Sequence, residues 1–444
     1  MADTHVSVTP TTQRVAWLDA LRGIAALAVV FDHLSPYLMS GLRTHVYHWL
    51  DPGEYGVFVF FMISGYIVPA SLERKGSVRT FWVSRIFRLY PLYLLVIVGA
   101  VLLALAGQGS LRGAGTDPAT AVLSQLLMMG NVLAGPNLPN VVWSLSYEMI
   151  FYLLLTALFL GGIHKRSGWY AVGFGVAAVV LGGVLPQQYF SHHLSSPHLI
   201  AAAADLLLLT GLAVAVILRG KPRLVGAVLS GAVAIALLAF NGGWIYPWEA
   251  LTIMGLMFTG TAVYRAEHRA EQGQPRALAR AIAVAVTTIA MGIAAGLWHS
   301  HAWHIWPPAE VFWERRWFFA LFFAGLTFAI GLAIRHWYIP RWIAWLGLIS
   351  YSIYLIHPLL IDVLYNSVLR GHHYSLAAKY GMAVVFVLVT IALSSVTYLL
   401  VERPMQNVGR RVAKALDQRF GPDRAPARAV GHAGVRDYAA ADRA

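Results

Sequence analysis

The sequence predicts an all-α fold: a polytopic transmembrane helix bundle of about 10–12 spans with both termini in the cytoplasm. Three observations predict it. Of 444 residues, 58% are hydrophobic and only 12% are charged, against about 25% charged in an ordinary soluble domain. That leaves too little polar surface to cover a soluble chain of this length. Apolar runs of about 17–25 residues, the length that crosses a bilayer, recur from one end of the chain to the other. Lysine and arginine collect in alternate gaps between those runs, as they do in loops facing the cytoplasm.

The runs fall at about 15–36, 55–72, 86–107, 141–161, 169–186, 199–218, 224–240, 248–264, 281–298, 317–334, 342–365 and 380–401. A shorter run at 119–133 reads as a re-entrant or interfacial piece. Residues 1–13 are polar, and the first run contains Asp19 and Arg22, so it reads as the first membrane helix and not as a cleavable signal. Even-numbered gaps are basic: Arg74, Lys75, Arg79 and Arg85; Lys165 and Arg166; Arg219, Lys221 and Arg223; Arg265, Arg269, Arg276 and Arg280; Arg335 and Arg341. Odd-numbered gaps hold only Arg43, Arg112, Arg315, Arg316, Arg370 and Lys379. The organisation expected is therefore a cytoplasmic segment at 1–13, a transmembrane domain at 14–402, and a basic, partly disordered cytoplasmic tail at 403–444. A surface helix from Val408 to Phe420 opens that tail. The expected location is the inner (plasma) membrane.

Composition also excludes function classes. The net charge of +13 punctuates the gaps and gathers on no single face, which points to membrane lipid and away from nucleic acid as the partner. Cysteine is absent, so disulfides, thiol catalysis and cysteine metal sites are ruled out. Histidines cluster in the outward gaps (His45, His48; His192, His193, His198; His299, His301, His304; His372, His373), but irregular spacing and sparse acidic neighbours favour solvated loop residues, and no metal is expected.

Ionisable side chains inside membrane helices cost several kcal/mol unless they face the bundle interior, and so mark functional sites. Here they are Asp19, Arg22, Asp32, His33, Glu148, Asp205, His357, Asp362 and Glu402. Arg22 and His33 are eleven residues apart, about three turns and about 16 Å, on one helix face. Asp19 and Arg22 are spaced to pair with each other. Depth counting brings His33, Glu148 and His357 between mid-membrane and the outer third, where one cavity would join them. Asp205 and Asp362 read as helix–helix hydrogen-bonding residues.

At these residues the sequence resembles the membrane acyltransferase-3 family. WLDALRGIAALAVVFDH (Trp17 to His33) is similar to that family's opening signature, an Arg, ten residues, then a His. YGVFVFFMISGYIV (Tyr55 to Val68), SRIFRLYPLYL (Ser84 to Leu94), VWSLSYEMIFYLL (Val142 to Leu154), LISYSIYLIHPLL (Leu348 to Leu360) and YLLVERP (Tyr398 to Pro404) resemble its further blocks, in order. The resemblance implies an integral membrane O-acyltransferase that moves an acyl group, in the first place acetyl, from cytoplasmic acyl-CoA to a hydroxylated acceptor: a glycan, a lipid-linked sugar or a macrolide-like metabolite. It implies His33 as the catalytic histidine, Arg22 in support, Arg85 and Arg88 on the donor phosphates, and Glu148 lining the site. A guanidinium fork suits phosphate oxygens, and imidazole suits proton removal from an attacking hydroxyl. Glu148 or Asp32 would orient the imidazole. Arg22 or the Ser350–Tyr351–Ser352 hydroxyls would meet the oxyanion, and Tyr351 and His357 are further candidates. The esterase-like domain that many relatives carry after the membrane part is not expected here. A different class stays open beside this one, a carrier moving a substrate or proton through the same polar cavity.

Overall fold

The computed structural model describes residues 10–109, 117–193, 196–243, 245–303, 313–421 and Asp423. Residues 1–9, Arg112, His304 and the tail beyond Asp423 lie outside the described residues. Among the described residues every regular element is helical: α1 (Pro10–Leu38), α2 (Ser40–Tyr47), α3 (Pro52–Lys75), α4 (Val78–Leu105), α5 (Pro118–Leu126), α6 (Trp143–Leu160), α7 (Ser167–Leu181), α8 (Tyr189–His193) and α9 (Pro197–Ile217). The order continues with α10 (Lys221–Phe240), α11 (Pro247–Glu271), α12 (Arg276–Trp303), α13 (Trp313–Ala333), α14 (Arg341–Leu348), α15 (Ser350–Leu364), α16 (Leu376–Thr397) and α17 (Arg403–Phe420).

Nine helical stretches among the described residues are long and apolar enough to cross a membrane. Three of the twelve expected runs fall outside that set for physical reasons. Helix α1 carries Asp19, Arg22 and Asp32, and α7 is only 15 residues long. Helix α11 is polar because it touches protein on nearly all sides. Thr252, Thr259 and Thr261 on it are fully buried, and it packs against α3, α7 and α12. The chain is a multi-pass membrane bundle built around α11.

Two sets of contacts define opposite ends of the bundle. At the basic end Arg265 pairs with Glu73 and donates to the His164 carbonyl, and Arg335 pairs with Glu267 at 2.8 Å. Arg223 holds Asp423 at 2.6 Å, and the Arg79 backbone N–H donates to the same carboxylate at 2.8 Å. Helix α17 thus lies against α4 with its C-terminal end tied down. At the other end the Gln188 N–H donates to the Gly242 carbonyl, Ser191 N–H to Asn241, and Asn366 to the Gln108 carbonyl.

Helices cross closely where glycine allows it. A Cβ on Gly65 would stand 1.9 Å from the Met257 carbonyl oxygen, and one on Gly260 would stand 2.2 Å from that of Met62, so α3 and α11 meet backbone to backbone. Pro69, inside α3, offers no N–H to the Gly65 carbonyl. Thr261 Oγ1 donates to that oxygen instead, at 2.8 Å, as backbone groups freed inside a membrane bundle require.

Two runs depart from simple spans. The run at 342–365 is broken at Ile349 into α14 and α15. A Cβ on Gly347 would stand 2.0 Å from the Asp19 carbonyl, so the short α14 lies hard against α1. The run at 119–133 gives the nine-residue α5 and a loop whose residues 127–133 are buried. Ser146 donates to the Met128 carbonyl at 3.0 Å and Asn131 to Tyr147 at 2.8 Å. Helix α6 therefore begins inside the bundle, below the level at which its neighbours begin.

Candidate active site

Helix α1 carries both halves of the site. Pro36 has no N–H for the Asp32 carbonyl four residues earlier. Arg43 from α2 donates to that oxygen at 3.0 Å and Ser35 Oγ at 3.1 Å. The same guanidinium stands 3.4 Å from Asp32 Oδ1 and covers the Tyr47 ring at 3.6 Å. The proline thus recruits the cation that holds the aspartate beside His33.

His33 Nδ1 lies 2.9 Å from the Val29 carbonyl oxygen one turn back. A carbonyl only accepts, so Nδ1 carries the hydrogen. His357 on α15 repeats the arrangement, its Nδ1 being 2.9 Å from the Ile353 carbonyl. Its Nε2 therefore bears a lone pair, which faces the His33 Nδ1 hydrogen at 3.4 Å, with ring centroids 5.1 Å apart. Pro358 leaves the Tyr354 carbonyl without its helical donor, and the His357 imidazole interacts with that oxygen as well. The pair fixes one tautomer of His33 and leaves its Nε2 lone pair unused. His357 is fully buried, whereas 33% of the His33 side chain is exposed. The exposed ring is the one equipped to take a proton.

Asp32 Oδ2 is 3.9 Å from His33 Nδ1, beyond hydrogen-bond range. The Val29 carbonyl orients the ring, and Asp32 contributes nearby negative charge only.

The second half lies toward the basic end. Arg22 pairs with Asp19 at 3.4 Å. Arg85 is buried between the Phe81 and Tyr152 rings, 5.6 and 5.8 Å from their centroids, and its Nε has no hydrogen-bond partner among the described residues. The Arg88 guanidinium interacts electrostatically with Asp19, Arg22, Arg85 and Glu402. Glu148 accepts from Ser64 at 3.0 Å and from Tyr152, and its charge acts on Arg22 and Arg85. The Tyr351 hydroxyl donates to the Leu89 carbonyl at 2.9 Å, and Ser352 donates to Glu402.

Of the three groups expected to share one cavity, His33 and His357 meet, whereas Glu148 joins the arginines. Depth counting assumed that α6 starts at the bundle surface; the buried loop ahead of it sets Glu148 deeper. Tyr351 likewise belongs with the arginines, which takes its hydroxyl away from the histidine pair.

A cavity of about 500 Å³ opens at the histidine end, lined by Asp51, Glu54 and Glu249 and by the rings of Trp143, Tyr246, Trp313 and Trp317. Its Asp51 acts electrostatically on both Asp32 and His33. A Cβ on Gly53 would stand 2.6 Å from Asp32 Oδ2, so only glycine lets that turn of α3 close over the aspartate. Sequence reasoning passes over these three carboxylates, because charges at the ends of apolar runs are ordinary. The signal was the helix start Asp51-Pro52-Gly53-Glu54, in which Asp51 caps α3 by accepting from the Glu54 N–H at 2.9 Å. A basic cavity of about 510 Å³, lined by Lys165, Arg265, Arg269, Arg276 and Arg280 among others, opens at the opposite end.

The clustered histidines find ordinary partners. His198 pairs at 3.0 Å with Asp117, whose carboxyl the Thr120 hydroxyl bond holds below its usual range. His192 bonds Gln188 at 2.7 Å, and His299 bonds the Ala178 and Val179 carbonyls. Among the described residues no group of three His, Asp or Glu side chains stands close enough to hold a metal ion.

Residues 15–401 match the family described as an acyltransferase domain. Acyltransferase MdmB of Streptomyces mycarofaciens is 33% identical over 183 residues, 39% of this chain and 46% of that protein. Nodulation protein 10 of Rhizobium leguminosarum bv. viciae is 30% identical over 193 residues, 39% of this chain and 51% of that protein. A putative O-acetyltransferase of Staphylococcus aureus (strain COL) is 27% identical over 187 residues, 37% of this chain and 28% of that protein. The chain therefore matches about half or less of the length of these curated relatives. No solved structure matches it.

Proposed function

Because the chain belongs to the acyltransferase family that matches residues 15–401, we propose that it is an acyl-CoA-dependent O-acyltransferase whose base is His33. The acceptor is a hydroxyl of a sugar or macrolide-type molecule, and the acyl group is acetyl in the first place. The observation that carries the assignment is the His33–His357 pair, in which both Nδ1 hydrogens are committed and the partly exposed His33 Nε2 is left with a free lone pair.

In the step proposed, the acceptor hydroxyl oxygen attacks the thioester carbonyl carbon while its proton passes to His33 Nε2. The new C–O bond forms, the C–S bond breaks, and the departing thiolate takes the proton back from the imidazolium to leave as CoA thiol. The Val29 carbonyl and His357 Nε2, both acceptors, stabilise the cationic ring through its Nδ1 hydrogen.

The arginines supply the donor end. Arg85 has an unsatisfied buried N–H, and Arg88 lies beside it on α4, close to Arg22; together they suit the phosphates of CoA entering from the basic, cytoplasmic side. The pantetheine arm then follows α1 outward, and the acceptor enters through the aromatic cavity.

The deciding experiment supplies purified protein in detergent with acetyl-CoA and a panel of hydroxylated acceptors. Acceptor-dependent release of free CoA, lost in His33→Ala, supports the proposal. Folded protein that consumes no thioester with any acceptor sinks it.

A further inference from the structure

The cavity beside His33 has a chemistry that acyl transfer alone does not call for. Among the described residues three carboxylates, Asp51, Glu54 and Glu249, line it, against one guanidinium, that of Arg316. Two of the three are already engaged: Asp51 accepts from the Glu54 N–H at 2.9 Å and Glu249 from the Tyr246 N–H at 3.1 Å. Glu54 Oε2 is buried and has no hydrogen-bond partner among the described residues. A buried carboxylate oxygen left in that state is costly and asks for a donor. Burial pushes the carboxyl of Asp51, at the cap outside α3, above its usual range, and Arg316 and Arg43 offset only part of that. The cavity thus holds buried carboxyls whose ionised form is costly, a cost that a cation among them would relieve.

Its walls are fixed aromatic rings. Tyr246 stacks on Trp248 (5.8 Å, 7°) and Trp313 on Trp317 (5.7 Å, 14°), while Trp248 meets Trp317 edge-on at 4.8 Å. Ring faces carry negative potential and draw cations, most strongly in desolvated sites. A neutral sugar would also stack on such rings and donate hydroxyls to the carboxylates, but it would bring no charge to hold them ionised. A protonated amine supplies both the missing donor and the missing charge.

We propose that this cavity anchors the acceptor by a protonated amino group, so that the substrate class is a hydroxylated molecule bearing an amine, an amino sugar above all. The inference rests on the acyltransferase reading for the reaction and on the cavity for the ligand. Asp51 joins the two, since it lines the cavity and acts electrostatically on His33. The amine sits among Glu54, Glu249 and the rings, and a hydroxyl of the same molecule reaches His33.

The test is a binding measurement that needs no donor. The full chain in detergent is titrated, by quenching of its tryptophan fluorescence and by calorimetry, with methyl glucosaminide, its N-acetyl derivative and methyl glucoside. Titrations run at about pH 6, below the ordinary range of an amine. The amine is expected to bind at least about 10-fold more tightly than either neutral sugar, a gap of about 1.4 kcal/mol. Glu54→Gln, nearly isosteric, is expected to erase that gap while keeping the weaker binding of the neutral sugars; Glu249→Gln is the second variant. Equal or tighter binding of the neutral sugars overturns the proposal, and so does an undiminished amine preference in both variants. Binding of none of the three overturns it as well, because the amine is the anchor. Acetyl-CoA is then added to the same samples. An amine preference without CoA release counts against acyl transfer only; CoA release without an amine preference counts against amine recognition only.

Discussion

Replacing His33 by alanine separates chemistry from folding, because the structure sets different magnitudes for the two. The truncation removes the Nε2 lone pair proposed as general base, and a positioned base contributes about 100- to 10,000-fold. That corresponds to about 2.7–5.4 kcal/mol of barrier. The structural cost is smaller. A third of the side chain is already exposed, and the truncation strips His357 Nε2 of a donor 3.4 Å away. A buried acceptor left unsatisfied costs about 1–3 kcal/mol, and a contact this long belongs at the lower end. The variant is therefore expected to insert, elute as wild type in detergent and melt within a few degrees of it, while acceptor-dependent CoA release falls at least about 100-fold. His33→Gln, which keeps a donor for His357 but lacks a base, should lose as much activity with less loss of stability. Wild-type turnover in either variant refutes the base assignment. Loss of activity that tracks loss of folded protein refutes the claim that His33 acts in chemistry.

Three further outcomes follow. His357→Leu removes the second acceptor on the His33 Nδ1 hydrogen, so kcat should fall about 10-fold, the lower end for a hydrogen bond to a charged group, with little change in the KM of either substrate; an effect confined to KM would deny a positioning role. Arg88→Ala removes a charged contact worth about 1.5–3 kcal/mol, so the KM for acetyl-CoA should rise about 10- to 150-fold, while an acetyl thioester lacking the phosphates should react as with wild type. Equal losses on both donors would argue against phosphate binding. Gly65→Ala drives a Cβ to 1.9 Å from the Met257 carbonyl, and backbone cannot yield as a flexible side chain does. The melting temperature should drop by the equivalent of about 3 kcal/mol, whereas Gly381→Ala, which meets nothing within 4 Å, should leave it unchanged.

The helices were legible because lipid imposes their composition: each of the twelve apolar runs is helical, down to α7 with its 15 residues. What failed was rise-per-residue counting from an assumed surface. It brings His33 and His357 together even though the run that carries His357 is broken at Ile349, and it fails to bring Glu148 to them, because residues 127–133 carry the chain inside before α6 starts. The break at Ile349 was equally hidden, since it depends on Gly347 meeting the Asp19 carbonyl of a helix more than 300 residues earlier. The partners of the site were half-visible. Pro36 and Pro358 announce freed carbonyls at Asp32 and Tyr354, but nothing local names Arg43, which answers the first of them from the next helix. The acidic, aromatic cavity was illegible, because its walls come from the starts of α3, α6, α11 and α13, far apart in sequence.

The spacing within α1 gives the site its logic. Arg22 and His33 stand on one uninterrupted helix, so their separation of about 16 Å is fixed by the helical rise and not by loop flexibility. Toward the basic end Arg22 is tied to Asp19, and three guanidinium groups share their surroundings with Asp19, Glu148 and Glu402. That near balance lets the cluster stay buried, and the unsatisfied Arg85 Nε is the donor proposed to meet a phosphate. Toward the opposite end His33, the proposed base, lies near a cavity of opposite charge character. In the proposed reaction this polarity would draw a phosphorylated donor to one end and a cationic acceptor to the other, each end repelling the wrong substrate. On the proposed roles of the arginines and His33, only a donor whose thioester lies a helix-spanning distance from its phosphates would bring its carbonyl to His33. A shorter anionic thioester, held by the same arginines, would stop short of the proposed base. On this argument the rigid helix that carries the opening Arg–His signature selects the donor by length before any contact with its acyl group is made.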